Sequence, residues 1–286
     1  MLWKRILVVP GALVLIAALA AGWVWWRSEA HLTGFTPAYR FAAIIPTDPA
    51  AIARGKHIAE TRGCAGCHGD GLLGEVFDES PWYAQGRFVA PNLAMLAKQV
   101  DPAALEAAIR QGIGHDGRAL YAMPSYNFIN LTDADTADLI AYLRQLPAGQ
   151  RALPRGYLGL NARWEIAIGR DFAIPYFLTR TPLLTRQKDP DPRIRTGEYL
   201  AMTSCNECHG FGLRGDDPWA PPGERAPDLA GARGYSKPLF FRLMRTGIPA
   251  DGRKLRLMDE VARGRFTHWT DEEVEALYAY LAQLPQ

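Results

Sequence analysis

The chain has few cysteines, and neither sign of charge dominates it. Its 286 residues include only four cysteines, and the formal net charge is +2 at pH 7. The basic residues are not clustered with stacking aromatic residues, which argues against nucleic acid as a partner. No segment shows sustained alternation of apolar and polar residues, so the pattern does not predict a sheet.

All four cysteines lie in two copies of one short motif. The copies are Cys64-Ala65-Gly66-Cys67-His68 and Cys205-Asn206-Glu207-Cys208-His209. In such a motif both thiols can add to the vinyl groups of a haem, and the adjacent imidazole is placed to bind the iron. A redox dithiol or a zinc site is the alternative, but neither needs a histidine after the second cysteine in both copies. Because no cysteine is left over, we expect two covalently bound haems c and no disulfide.

An apolar run without charge lies near the start of the chain, over residues 6–26. Its length matches the roughly 20 residues that a helix needs to cross a bilayer. Lys4 and Arg5 precede it, and tryptophans lie at its far end, where indoles favour the membrane interface. We therefore predict a transmembrane anchor with its amino end in the cytoplasm. The alternative is a signal peptide cleaved after Ala18-Leu19-Ala20, although the run is long for one.

The second half of the chain repeats the first. The segment 90–93 matches 226–229, Asp116-Gly117-Arg118 matches Asp251-Gly252-Arg253, and 141–147 matches 279–285. An internal duplication of this length indicates two domains of about a hundred residues, each with one haem. We predict an anchor and tether over 1–46, a first domain over 47–150, a joining segment over 151–190 and a second domain over 191–286.

Each repeat is predicted to be helical. Apolar residues recur at helical spacing near the end of each repeat, after the capping residues Thr132 and Thr270. The joining segment is too apolar for a solvated linker, so we expect it to pack along the domains and to be partly helical. The predicted helices cover 52–61, 133–146, 195–202 and 271–284.

The repeat also selects a second axial ligand for each iron. Of the six methionines, only Met123 and Met258 fall at equivalent positions, six residues after the glycine of Asp-Gly-Arg. A methionine is more often a packing residue, but an equivalent pair downstream of two haem motifs favours ligation of iron. We expect His68 with Met123 on one iron and His209 with Met258 on the other. Met258 lacks the proline that follows Met123, and His268 is its nearby competitor.

The order of haem motif, Pro-Asn-Leu or Pro-Asp-Leu, methionine and carboxy-terminal helix resembles class I cytochrome c. Over about residues 47–147 and 191–286, the chain resembles membrane-anchored tandem di-haem cytochromes c. The resemblance implies an all-α fold, with two tandem class I cytochrome c-like helical domains after an N-terminal transmembrane helix. It also implies that the carbonyls of Pro91 and Pro227 accept hydrogen bonds from His68 and His209. These hydrogen bonds tune the basicity of the two histidine ligands and hence the reduction potential of each haem. Because this family attaches haem outside the cytoplasm, the haem domains should face the periplasm from the bacterial inner membrane.

Iron with two strong axial ligands has no open position for a substrate, so we predict an electron relay and not an enzyme. The expected partners are redox proteins of a respiratory chain. The donor would be a membrane quinol-oxidising complex or a periplasmic dehydrogenase, and the acceptor a terminal oxidase or a soluble cytochrome. The resemblance also agrees with a subunit of a dehydrogenase complex. An acidic first domain would attract a basic partner surface. The alternative function is a di-haem cytochrome c peroxidase, in which one haem lacks a sixth ligand.

Overall fold

The computed structural model describes residues 2–147, 149–151, 153–170, 174–215, 226–255 and 257–285, without the side chains of residues 2–9 and 177. The helices that precede the joining segment are α1 (Leu2–Ala30), α2 (Pro49–Thr61), α3 (Ala65–His68), α4 (Leu93–Gln99), α5 (Pro102–Gln111), α6 (Ser125–Phe128) and α7 (Asp133–Gln145). Those that follow are α8 (Leu160–Ala167), α9 (Ile174–Leu178), α10 (Pro192–Ser204), α11 (Asn206–His209), α12 (Lys237–Thr246), α13 (Leu257–Gly264) and α14 (Asp271–Leu281). The strands are β1 (Glu75–Glu79), β2 (Gly86–Ala90) and β3 (Tyr157–Leu158).

Helix α1 is the predicted apolar helix. Its portion Pro10–Ala30 is long and apolar enough to cross a membrane. Side chains along this portion, such as Leu13 and Leu19, are exposed. Near its carboxyl end Val24 and Ser28 are buried, because α8 of the joining segment packs there.

The first and last helices of each domain cross at a glycine. Helix α2 packs on α7, and α10 packs on α14. A Cβ atom on Gly55 would lie 2.0 Å from the carbonyl oxygen of Asp138, and one on Gly197 would lie 2.1 Å from that of Ala276. No side chain larger than hydrogen fits at either crossing. The two helix pairs therefore meet backbone to backbone, and each pair borders the apolar core of its own domain.

The predicted starts of the last helix of each domain, α7 and α14, are confirmed by their caps. The Thr132 side chain accepts a hydrogen bond from the backbone N–H of Asp135, and Thr270 forms a capping box with Glu273. The helices predicted over 52–61 and 195–202 begin three residues earlier than expected, at Pro49 and Pro192. In both, an aspartate caps the helix and proline occupies its first turn, where it needs no hydrogen-bond donor.

A small sheet lies on the first domain, although the sequence pattern did not predict one. Strand β1 pairs with β2, and β2 pairs with β3, all antiparallel. A bulge between Val76 and Asp78 interrupts the first pairing. The strands are only five, five and two residues long, which is too short for an alternating pattern to stand out. Through β3, the sheet attaches the joining segment to the first domain.

The joining segment packs along the first domain and is partly helical, as predicted. Helix α8 buries Ala162 and Ile166, and Ile166 packs with Leu32 and Ala119. Helix α9 places Ile174 against Tyr126 of the first domain. Residues 152 and 171–173 of this segment lie outside the described residues. The segment therefore connects the end of α1, the small sheet and the first domain.

Candidate haem-binding sites

The two Cys-x-x-Cys-His motifs have the same local structure. In each, the backbone N–H of the histidine donates to the carbonyl of the first cysteine, at 3.0 Å for His68 and 2.9 Å for His209. This single helical turn, α3 or α11, holds both cysteines and the histidine close together. The following glycine, Gly69 or Gly210, has a positive φ that turns the chain. The histidine carbonyl then accepts a hydrogen bond from Gly74 or Gly215, at 2.8 Å in both copies.

Both motif histidines are oriented by a proline carbonyl. Nδ1 of His68 lies 2.9 Å from the carbonyl oxygen of Pro91, and Nδ1 of His209 lies 2.8 Å from that of Pro227. A carbonyl oxygen can only accept, so Nδ1–H is the donor and Nε2 is left unprotonated for a metal. Burial lowers the pKa of both imidazoles, against the effect of the proline hydrogen bonds. Neutral imidazole is the form that binds iron.

The four cysteines suit covalent attachment better than a zinc site. None of them is in a disulfide. Burial raises the pKa of Cys64 to about 11 and that of Cys205 to about 12. Such burial keeps the unattached thiols protonated. Within the part of the chain that the structure describes, no group of three or more His, Cys, Asp or Glu could hold a metal ion.

Two buried amides lack hydrogen-bond partners in the described structure. Neither Nδ2 nor Oδ1 of Asn206 has a partner, and the same is true of Asn127. Asn206 lies inside the second haem motif, and Asn127 lies four residues after Met123. A buried polar group without a partner costs about 1–3 kcal/mol, so such groups are rare unless something else binds beside them. Their positions fit sites that a bound group completes.

The two candidate methionines lie in equivalent surroundings but different elements. Met123 lies two residues before the short helix α6, whereas Met258 lies in the first turn of α13. Both are half-buried, and each packs against the core of its own domain. The first cysteine of the same domain, Cys64 or Cys205, borders or belongs to that core. Their role as iron ligands stays a prediction.

Other candidate residues are occupied elsewhere. Met244 is fully inside the core of the second domain, which agrees with a packing role. Nδ1 of His268 lies 3.7 Å from a carboxylate oxygen of Glu60 in the first domain. His57 also faces the other domain, with Nε2 2.9 Å from Oε1 of Glu273. These two histidines therefore lie at the contact between the domains, each opposite a carboxylate of the other domain.

Sequence analysis missed a cation between the two haem motifs, Arg265. Its Nη1 donates to Oε2 of Glu207, inside the second motif, at 2.8 Å. A Cβ atom on Gly63, next to Cys64 of the first motif, would lie 1.9 Å from Nε of Arg265. Burial raises the pKa of three motif cysteines, and the charge of Arg265 opposes this at each; they are Cys64, Cys67 and Cys205. One guanidinium therefore lies beside both attachment motifs.

Arg62 is a second cation at this contact, and it is nearly fully buried. Its Nε donates to Oγ1 of Thr203 at 3.1 Å, and its guanidinium lies 5.6 Å from the centre of the Tyr199 ring. The Tyr199 hydroxyl in turn donates to Asp135 of the first domain. The two domains thus meet through hydrogen bonds and charges that lie immediately beside the haem motifs.

The family follows from comparison with known proteins. A family model described as cytochrome c matches residues 52–147 and 194–285. The chain belongs to the cytochrome c family. Domains of this family hold haem c covalently, so the two matches account for the duplicated Cys-x-x-Cys-His motif. The predicted class, an all-α fold of two tandem cytochrome c domains after an apolar N-terminal helix, is confirmed.

Several curated relatives are cytochrome subunits of dehydrogenases. The chain is 26% identical over 294 residues to the cytochrome c subunit of a quinone-dependent alcohol dehydrogenase from Gluconobacter oxydans, covering 91% of this chain and 60% of that one. It is 28% identical over 283 residues to the fructose dehydrogenase cytochrome subunit of Gluconobacter japonicus, covering 84% and 55%. It is 27% identical over 314 residues to a diheme cytochrome c-type protein of Cereibacter sphaeroides, covering 99% of both. The chain thus spans between 55% and 60% of the length of these two dehydrogenase subunits.

The family and the names of these relatives confirm that the chain is an electron-transfer protein and not an enzyme in its own right. They do not support the alternative of a di-haem peroxidase.

Proposed function

We propose that the chain is a di-haem cytochrome c that relays electrons between its two haems. The first haem is held by Cys64, Cys67 and His68, with Met123 as the second axial ligand. The second is held by Cys205, Cys208 and His209, with Met258 in the equivalent role. Pro91 and Pro227 hold the two histidines in the tautomer that leaves Nε2 for iron. Bound haem supplies a one-electron iron couple, and the protein supplies its position and surroundings.

The observation that carries this proposal is the contact between the two motifs. Arg265 touches Gly63 beside the first motif and pairs with Glu207 inside the second. Tyr126, three residues after Met123, packs edge-on against Phe211, two residues after His209, with ring centres 5.5 Å apart. Electron transfer between two centres requires that they lie close together. The two haem sites meet this requirement, because they are joined both by the Arg265 contact and by the Tyr126–Phe211 ring contact.

The names of the relatives support a dehydrogenase as one redox partner. We propose that the donor is a dehydrogenase or a quinol-oxidising complex at the bacterial inner membrane, and that the acceptor is an oxidase or a soluble cytochrome. Helix α1 would anchor the chain, with both haem domains in the periplasm. The acidic surface of the first domain would favour a basic partner through salt-sensitive attraction.

Variants that lack one haem test the relay. Cys64→Ser with Cys67→Ser should leave one haem per chain by pyridine haemochrome assay, and so should Cys205→Ser with Cys208→Ser. In membranes that contain the native donor and acceptor, each variant should lose transfer from donor to acceptor, while one of the two remains reducible by the donor. Full transfer by either variant would contradict the relay, as would one haem in the unmutated protein. Purification in mild detergent, followed by identification of the proteins that travel with the chain, tests the proposed partners.

A further inference from the structure

A band of exposed apolar side chains lies beside the end of α1. The aromatic band, as we call it, consists of Trp82 and Tyr83 in the turn between β1 and β2, and of Leu160, Trp164 and Ile168 in and just after α8. These side chains are between 36% and 67% exposed. The last three are four residues apart, so they share one face of the helix.

Helix α8 is apolar on two opposite faces. Ala162 and Ile166 are buried against the rest of the protein, and they lie on the face opposite Leu160 and Trp164. The exposed stripe is therefore not the core face of a helix that has failed to pack. A helix that is apolar on both sides is typically covered on both sides. Contiguous exposed apolar groups of this kind mark an interaction surface.

The two parts of the aromatic band are held together by the backbone. The N–H of Leu160 donates to the carbonyl of Trp82 at 2.8 Å, and that of Asn161 donates to the carbonyl of Tyr83 at 3.2 Å. Gly159 makes this approach possible, since a Cβ atom there would lie 2.3 Å from the carbonyl oxygen of Ala84. The turn and the helix therefore form one continuous surface.

The band is fixed at the level where the apolar run of α1 ends. Arg163, the neighbour of Trp164, donates to Oγ of Ser28 at 2.9 Å and to Oε1 of Glu29 at 2.8 Å. Its guanidinium also lies 3.8 Å from the ring centre of Trp25. Trp25 is in the last part of the apolar run, where tryptophan indicates the interfacial layer of a bilayer. Trp164 thus lies beside the point at which α1 would leave the lipid.

We propose that the aromatic band rests in the interfacial layer of the lipid bilayer next to α1. This inference depends on the proposed membrane anchoring by α1. Tryptophan and tyrosine favour that layer. The band and α1 together would hold the first cytochrome domain in one orientation against the membrane surface. The chain would then contact the membrane through two elements and not through a single flexible anchor.

Thiol labelling of the holoprotein in lipid nanodiscs tests the proposal. Haem attachment consumes the four native cysteines, so one added cysteine is the only free thiol. Three full-length variants are compared with a membrane-impermeant maleimide: Trp164→Cys in the band, Leu13→Cys in α1 and Ile248→Cys as an exposed apolar site of the second domain. The purified chain is alone in the nanodisc, so lipid is the only material that can cover it. Haem content and absorption spectra check that each variant is folded.

Lipid slows labelling because only the thiolate reacts and an apolar layer disfavours it. We expect Trp164→Cys and Leu13→Cys to react at least about tenfold more slowly than Ile248→Cys, which corresponds to a rise of about one pKa unit. If Leu13→Cys is protected but Trp164→Cys reacts as fast as Ile248→Cys, the band does not contact lipid, although the anchor stands. If Leu13→Cys also reacts fast, α1 is not in the lipid, and both the proposed anchoring and the proposed contact of the aromatic band with lipid are refuted. Protection of Trp164→Cys in native membranes alone would assign the band to a protein partner and overturn the proposal.

Discussion

The charge of Arg265 should influence the reduction potentials of both haems, although the residue belongs to the second domain. A cation disfavours the oxidised haem, which carries one more positive charge than the reduced one. A unit charge about 10 Å from an iron, at an effective dielectric constant of about 20, changes the free energy of oxidation by about 1.7 kcal/mol. For a one-electron couple this corresponds to about 70 mV. Arg265 and Glu207 are partly accessible to water, which weakens this effect. We therefore expect Arg265→Gln to lower the reduction potential of each haem by about 30–70 mV.

Spectroelectrochemical titration of the holoprotein measures this effect. Glu207→Gln should raise both potentials, since it leaves the guanidinium without its carboxylate, and the double variant should return close to the original values. Arg193→Gln serves as the matched control, because Arg193 pairs with Asp191 at an exposed site and should not affect either haem. An unchanged first potential in Arg265→Gln would refute the reasoning, since it would mean that the two motifs do not share this cation.

Three further changes test the fold and the sites. Gly55→Ala should lower the free energy of unfolding by roughly 1–3 kcal/mol or more in urea titrations, because no methyl group fits at the helix crossing; Gly264→Ala, which meets nothing within 4 Å, should not. The pKa of His57 is raised by its hydrogen bond to Glu273. Burial raises the pKa of Glu273, but the hydrogen bonds from His57 and the Thr270 backbone, together with the charges of His57 and Arg62, lower it overall. The stabilisation from His57 should therefore be lost as pH rises through its raised pKa, and that from Glu273 as pH falls through its lowered pKa. The pair should therefore contribute most to the free energy of unfolding from about pH 4.5 to 6.5, between the ordinary pKa values of the two groups. If His57→Gln has the same pH profile of the urea midpoint as the unmutated protein, this prediction is contradicted. Met123→His should lower the potential of the first haem while leaving its attachment intact, because thioether favours ferrous iron more than imidazole does; an unchanged potential would exclude Met123 as a ligand.

Local features of the fold could be predicted from sequence because local signals encode them. Helical spacing of apolar residues and a capping threonine locate α7 and α14 without reference to the rest of the chain. The haem motifs are equally local, since five consecutive residues define them. The internal repeat also allows the candidate methionines to be predicted from sequence. Met123 and Met258 lie at equivalent positions of the two repeats, which makes both of them candidate iron ligands and not only packing residues.

Features that depend on distant contacts could not be predicted in this way. Strand β3 is two residues long and exists only because β2 is beside it. Arg265 has no local pattern that separates it from other surface arginines, and its importance comes from Glu207 and Gly63, which are far away in the sequence. The exposed face of α8 is apparent only once the buried face is known. In each case the deciding neighbour comes from another part of the chain.

The domain contact makes the two duplicated sites unequal. Their local geometry is the same, but Ala65 and Gly66 of the first motif are exposed, whereas Asn206 of the second is 1% exposed. The motif histidines show the opposite order, since His68 is buried and His209 is half-buried. Lower exposure of a haem to water disfavours its oxidised, more positively charged state, because that state loses more hydration. Burial of Asn206 favours a higher potential at the second haem, whereas the more exposed His209 opposes it, and Arg265 does not separate the two haems since it lies beside both. A titration of the holoprotein that resolves the two potentials shows which of these exposures decides the direction of electron transfer between the haems.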